Sequence, residues 1–302
     1  MSKRMSAWII SLIFIVLPAY GADHATTAEA VGNQAATAEV AKSLEQMATE
    51  VKNLLVKEKV RNIFDLFRRL REEGVTWQPS LTAPNDLVNK LDDEQLRLYA
   101  GVKLFDALYA ATFMQRQAVS DSLQTIEAIQ EKLNLRAYAD LSGNFFKTLK
   151  KAAANPQSVN VQLLLEQLAT DYVQDIPALM SSPKSADYLI DSLYGFTIEN
   201  GHVLGYFFQN DLKGLDKAIH QQPDRGEWQD TMVKLFKAFD RMDEKIRVSG
   251  ETTEKVAVIE RMVAVTKADP DTNRSEAIDT AWKEIAAQNA AIRAAILTPS
   301  AK

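Results

Sequence analysis

Residues Val40–Leu54, VAKSLEQMATEVKNL, carry apolar side chains at Val40, Leu44, Met47, Val51 and Leu54, in alternating steps of four and three. That rhythm draws one apolar stripe along a helix, the a/d pattern of a coiled-coil seam. Beyond Leu54 the phase slips, and Val56, Val60, Ile63, Phe67 and Leu70 continue on a shifted stripe. Phe64 and Leu66 widen it into the broad face of a helix set into a globular core. Gly74 is placed to end that helix as its C′ residue. A coiled coil wants about three or four regular heptads, more than this stretch offers. The stripe is therefore expected to pack within its own bundle. Its alternative partner is a second copy of the chain, or a partner helix, seated on Val40, Leu44, Met47, Val51 and Leu54.

Read outward, the same period recurs along the chain. Upstream, Ala22 to Ala36 is rich in Ala and Thr without apolar periodicity, and is expected to be a flexible tether. Downstream, Pro79 and Pro84 mark a linker, Asp92 offers an N-cap, and apolar positions run from Leu96 through Leu133. Further helices are expected over 136–153, 160–179, 183–210, 212–220, 226–248, 252–267 and 274–297. Asn155-Pro156, Ser182-Pro183, Gly226, Gly250 and Asp269-Pro270 punctuate them. No segment alternates with period two between hairpin turns, so no sheet is expected. The reading is an all-α bundle or array of about eight to nine helices. Its body covers 37–298, with possible sub-units 37–182 and 183–298.

Lys3 and Arg4 precede the apolar run Ala7–Leu17 (AWIISLIFIVL), which Pro18 ends; small residues Ala19 and Gly21 flank Tyr20. This is the order of a secretory signal over residues 1–21, cut after Gly21. An apolar run of that length rises only about 16 Å as a helix, against a hydrocarbon core of about 30 Å. The expected destination is the periplasm, with a membrane tether through an uncleaved N-terminus as the alternative. The chain has 302 residues and no cysteine, so it must hold itself together through an apolar core. Its formal charge is −5, and loss of Lys3 and Arg4 makes it more negative. An acidic body argues against nucleic acid as a partner, since phosphate contacts need clustered Lys and Arg.

Three histidines, His24, His202 and His220, are present. If the mature chain begins Ala22-Asp23-His24, its terminal amine, two amide nitrogens and the imidazole can close a square-planar set that suits Cu(II) or Ni(II). Glu199 and His202 stand at i and i+3, which resembles half of the Glu-x-x-His set of ferritin-like di-iron bundles. Lys217 stands where His220 would need its glutamate, so the second half is missing. Gly201-His202 is also similar to part of the Gly-x-His-x-x-Glu signature of the imelysin-like helical proteins. The spacer is absent here and Gly205 occupies the acidic position, so nothing is carried over from that family. Gly195, Gly201 and Gly205 inside one apolar helix point to a crowded crossing, or to a break beside a cavity. Tyr194, Gly201, His202, Gly205 and Tyr206 are the candidate binding residues there, with Phe207 and Phe208 close by.

Leu104–Phe113 (LFDALYAATF) and Leu189–Ile198 (LIDSLYGFTI) match at Leu, Asp, Leu, Tyr and Thr. Chance matching between Leu- and Ala-rich helical windows suffices to explain the echo, and a duplicated helical unit is the alternative. The sequence carries no nucleophile elbow, no His-Glu-x-x-His and no glycine-rich phosphate loop. It therefore points to no cofactor and leans away from an enzyme. The expectation is an exported, non-enzymatic helical protein that binds or scaffolds. A small-ligand or metal-handling protein using the helix around His202, or the N-terminal Ala22-Asp23-His24 set, is the alternative.

Overall fold

A computed structural model describes residues 27–57, 62–135, 143–154, 161–209, 230–238, 252–266 and 276–300. Helices dominate these residues and no strand occurs among them, so the chain is all-α. The helices are α1 (Thr27–Lys57), α2 (Asn62–Glu72), α3 (Asp93–Thr112), α4 (Arg116–Lys132), α5 (Gly143–Ala154), α6 (Val161–Leu179) and α7 (Pro183–Gln209). Then follow the helical segment 230–238, α8 (Thr252–Thr266) and α9 (Glu276–Leu297). A single 3-10 turn, Pro79–Leu81, lies in the strap between α2 and α3. Residues 1–39 and 40–302 form two units in the contact pattern, and the second holds the core described below.

Three boundaries differ from expectation for physical reasons. Helix α1 begins at Thr27, so residues 27–36 are helical backbone rather than tether; alanine, the best helix former, is frequent there. The apolar stretch from Leu96 to Leu133 is two helices. Met114 adopts φ +60 between them, with Met114 N–H donating to Ala111 O (3.0 Å) and Gln115 N–H to Ala110 O (2.9 Å). That pair of bonds is a Schellman closure around a left-handed residue. Methionine is no turn residue by type, and so gave no warning. The body is also not divided at 182/183, because α7 packs on α3 from the other side of that point and one core runs from Leu44 to Ile296.

Elsewhere local chemistry sets the ends as read. Gly74 has φ +93, and it closes α2 with Gly74 N–H on Arg71 O and Val75 N–H on Leu70 O. Asp92 caps α3 by accepting from Gln95 N–H (2.9 Å), while the Gln95 side chain accepts from Asp92 N–H (3.3 Å). Ser182 and Ser185 exchange the corresponding bonds ahead of α7, whose first residue is Pro183.

The framework consists of α3, α7 and α9. Successive contacts between α3 and α7 advance together: Arg97 with Asp191, Phe105 with Phe196, Tyr109 with Phe207. The two helices are therefore parallel, which requires the long excursion through α4, α5 and α6. Helix α9 runs antiparallel to α7, since Gly205 meets Ala286, Gly201 meets Asn289 and Glu199 meets Arg293. At its C-terminal end, Gln95 Nε2 donates to the carbonyls of Ala295 (3.0 Å) and Thr298 (2.6 Å). One side chain thus serves the N-terminus of α3 and orphan carbonyls at the end of α9.

Phe67 of α2 sits at the centre of an aromatic cluster with Phe105, Tyr109 and Phe207. Trp77 from the strap covers Tyr109 at 4.5 Å between ring centroids. Leu44, Met47 and Val51 of the opening stripe are buried in the same core, and Val40 and Leu54 pack against it. Full burial of side chains this size contributes roughly 1.5–3 kcal/mol each. No helix among the described residues is long and apolar enough to cross a membrane.

Candidate functional site

The crossing of α3 and α7 depends on two glycines. A Cβ at Gly101 would lie 1.8 Å from the Ser192 carbonyl oxygen, and one at Gly195 would lie 1.9 Å from that of Leu98. Only hydrogen fits in either place. With the backbones this close, side chains on the flanks of the crossing are excluded from water, and several of them are charged.

Lys103 and Asp106, one turn apart on α3, are both buried, at 1% and 0% exposure. Lys103 Nζ lies 2.9 Å from Asp106 Oδ2 and donates also to Ala83 O (2.9 Å). Ala83 N–H returns a bond to the same Oδ2 (3.0 Å). The strap is thereby tied to α3 through both polar groups of one residue. Across from them Glu199 of α7, at 0% exposure, accepts from Arg293 Nε of α9 (2.5 Å). The Arg293 guanidinium also reaches Leu81 O (3.2 Å). Two carboxylates and two cations from three helices therefore meet around the strap residues Leu81–Ala83.

This cluster is incompletely satisfied. Asp106 Oδ1, Glu199 Oε1, Asn200 Oδ1 and both side-chain polar atoms of Asn289 are buried without a hydrogen-bond partner. Burial raises the Asp106 carboxyl above its ordinary range, against the opposing pull of Lys103, Ala83 N–H and Arg293. Burial, and after it the charge of Asp106, push the Glu199 carboxyl up to about 8, while Arg293 and Lys103 work in the other direction. His202, one turn beyond Glu199, is held down at about 4 by burial and then by the positive charge of Arg293.

The residues singled out in the sequence fall into this geometry unevenly. Gly201 is filled by the Asn289 amide and the Met262 methyl, at 2.3 and 2.7 Å from a built Cβ. Gly205 is filled by Ala286, at 2.7 Å. The two glycines let α9 approach, and the space beside them is occupied by protein. Tyr194 is buried edge-on against Phe236 (5.9 Å), and half-buried Tyr206 lies edge-on to Phe207 (5.7 Å). Glu199 and His202 do share a helix face, as the i, i+3 spacing implies, but the group opposite them is a guanidinium. A fixed positive charge at that position opposes a metal ion there. Among the described residues no group of three or more His, Cys, Asp or Glu is placed to hold a metal. Ala22, Asp23, His24, His220 and the segment 1–21 lie outside the described residues, as does the Phe208 side chain.

Sequence reading missed Lys103, Asp106, Asn289 and Arg293. The echo held one trace of them: Asp106 and Asp191 occupy matching positions in the two windows, and both are fully buried beside a cation carried by α3. Thr112 and Thr197, also matched, both turn their hydroxyls back onto the matched carbonyls of Leu108 and Leu193. A separate crevice of about 30 Å³ lies between α3, α4, α6 and α7. It is lined by Leu104, Ile126, Tyr172 and Leu189 among others, with Gln130 donating to the Tyr188 hydroxyl at 3.2 Å. Its size suits a water molecule or two rather than a metabolite. The chain matches no protein family, no curated protein and no solved structure.

Proposed function

We propose that this chain is an exported, non-enzymatic helical protein that acts as a binding or scaffolding module in the periplasm. The observation that carries the reading is the closure of Lys103, Asp106, Glu199 and Arg293 on one another. Groups with the chemistry for acid–base work are turned inward, where they brace three helices and a strap. Export is supported by the order of charge, apolar run and small residues over 1–21.

Fractionation of cells expressing the full chain, with mass measurement of its N-terminus, tests this reading. The expected product is periplasmic and begins at Ala22. A chain kept in the cytoplasm with residues 1–21 attached would overturn it. Light scattering on the mature protein tests self-association. Leu44 and Met47 are already buried within the chain's own core. Leu44→Lys is therefore expected to loosen α1 and lower stability by about 3 kcal/mol or more, the order of cost for an unpaired buried charge. Dissociation of a dimer into stably folded monomers would instead place the stripe at an interface.

The second reading, a small-ligand or metal-handling protein, rests on the Ala22-Asp23-His24 sequence and on the i, i+3 spacing of Glu199 and His202, which the Arg293 guanidinium opposes as a metal site. Metal analysis of protein purified from its native compartment tests it. Stoichiometric metal lost in His202→Ala supports the helix site, and loss on removal of residues 22–24 supports the N-terminal one. A metal-free protein removes both.

A further inference from the structure

Two carboxylate oxygens are left over at the α3–α7–α9 centre, Asp106 Oδ1 and Glu199 Oε1. Asn200 Oδ1, both side-chain polar atoms of Asn289 and the Tyr109 hydroxyl are likewise buried without a partner on the same helices. The hydrogen bonds that form run from Lys103 Nζ to Asp106 and Ala83 O, from Arg293 Nε to Glu199, from its terminal nitrogen to Leu81 O, and from Ala83 N–H to Asp106, and none of them reaches Asp106 Oδ1 or Glu199 Oε1. A buried acceptor without a donor costs about 1–3 kcal/mol, and more when it is charged. Each of the two buried acids therefore keeps one oxygen without a donor. An added proton turns one carboxylate from acceptor to donor and removes one of two like charges from the interior.

We propose that this centre is a proton-dependent lock on the C-terminal helix: the Asp106–Glu199 pair retains a proton in the folded protein, and its loss weakens the seating of α9 on α3 and α7. The charged and titratable groups facing the pair are Lys103, Tyr99 and Tyr109 from α3, His202 from α7 itself and Arg293 from α9, and burial raises the Tyr109 hydroxyl out of the range that matters. The strap contributes backbone groups at Leu81 and Ala83, and α8 contributes the apolar Met262 beside Gly201. Tyr99 donates to the Pro84 carbonyl, and burial raises its pKa. It therefore stays neutral through the range that matters. Glu199 is the better holder of the proton, because Asp106 Oδ2 already accepts two hydrogen bonds whereas Glu199 accepts one.

An acid whose folded pKa lies above its ordinary value adds stability that is complete below that ordinary value and is lost as pH rises to the folded one. For Glu199 that window runs from 4.5 to about 8. His202 acts with opposite sign between about 4 and 6.5, so the range from 6.5 to 8 isolates the lock. The test is amide hydrogen exchange of α9 in the full chain across that range, corrected for intrinsic exchange, in wild type and Glu199→Gln. The amide retains the acceptor for Arg293 and cannot ionise. In wild type, the open population of α9 is expected to rise by about tenfold per pH unit, the slope for one proton, and in Glu199→Gln to stay flat.

Infrared spectroscopy of the wild type at pH 6.5 should also show the carbonyl stretch of a protonated carboxylic acid, absent from Glu199→Gln. This measurement still decides the matter if the variant fails to fold, because on the wild type the band must vanish as pH passes 8. Opening of α9 that ignores pH in wild type, an equal slope in both proteins, or no carboxylic acid band overturns the lock. Those results would leave the unpartnered carboxylate oxygens to buried water.

Discussion

In its first half α7 comes so close to α3 that Gly195 lies against the Leu98 backbone, and its buried Asp191 takes a 2.7 Å bond from Arg97. In its second half it turns Gly201 and Gly205 to α9, and its buried Glu199 takes a bond from Arg293. Both halves use glycine for approach and an Arg–carboxylate pair for polarity, yet they differ in what surrounds them. At the first crossing, the atoms that a methyl group would strike belong to backbone. At the second they are the Asn289 amide, the Met262 methyl and the Ala286 methyl. The first carboxylate pairs with Arg97, whereas the second shares its interior with another carboxylate and with unpartnered amide oxygens. Rigid backbone contact makes a fixed joint. Side-chain contact around two buried carboxyl groups, each with an unpartnered oxygen, makes the joint that we propose responds to pH.

The strongest way to break this contrast is to put a methyl group into each joint. Gly195→Ala, or Gly101→Ala, sets a carbon against a helix carbonyl, and is expected to destabilise by more than about 3 kcal/mol or to prevent folding. Gly201→Ala meets the ends of flexible side chains and is expected to cost about 1–2 kcal/mol, read as a lower denaturant midpoint at unchanged m-value. Equal losses at the two sites would erase the distinction between the joints.

A smaller effect sharpens it through pH. His202 is neutral in the folded protein down to about 4 but titrates near 6.5 when unfolded. Unfolding therefore takes up a proton at His202 between those values, and the His202 contribution to stability falls as pH drops from 6.5 to 4, opposing that of Glu199 above 4.5. His202→Asn is expected to remove this opposition, so that stability rises more steeply as pH drops from 6.5 to 4.5, and to leave the limb above 6.5 unchanged. A thermal melting series across pH checks both halves of the statement.

The smallest effect lies away from both joints. Met114 holds a left-handed backbone at the end of α3, where a side chain costs about 1 kcal/mol or more. Met114→Gly is expected to raise stability by about 0.5–1 kcal/mol, the gain being partly offset by the freer unfolded chain. Gly74→Ala should lose a similar amount by the same reasoning. Nothing lies within 4 Å of the Cβ that it would add, so φ alone opposes it.

How much of this was legible depends on how far apart the cooperating residues stand. Gly74, the Asp92–Gln95 box and the Ser182-Pro183 start are local devices, and each ends or begins a helix where its own few residues say it should. The start of α1 and the break at Met114 were not legible, because an Ala-rich segment can be tether or helix and methionine is not a turn residue by type. Crowding was legible from glycine density in α7, but which helix fills each glycine was not.

By itself the sequence determined an all-α chain, the approximate extent of α6 to α9 and the glycine-bearing face of α7. These follow from 3.6-residue periodicity and from capping chemistry within one turn. Only the tertiary structure decided that α3 and α7 run parallel and that α9 returns antiparallel against α7. It alone brings Lys103, Asp106, Glu199 and Arg293 together around Leu81 and Ala83. Separately, each of these looks like an ordinary surface charge on its own helix. They become one group only when helices far apart in sequence exclude water from the same place, since burial is what makes a charge need its partners.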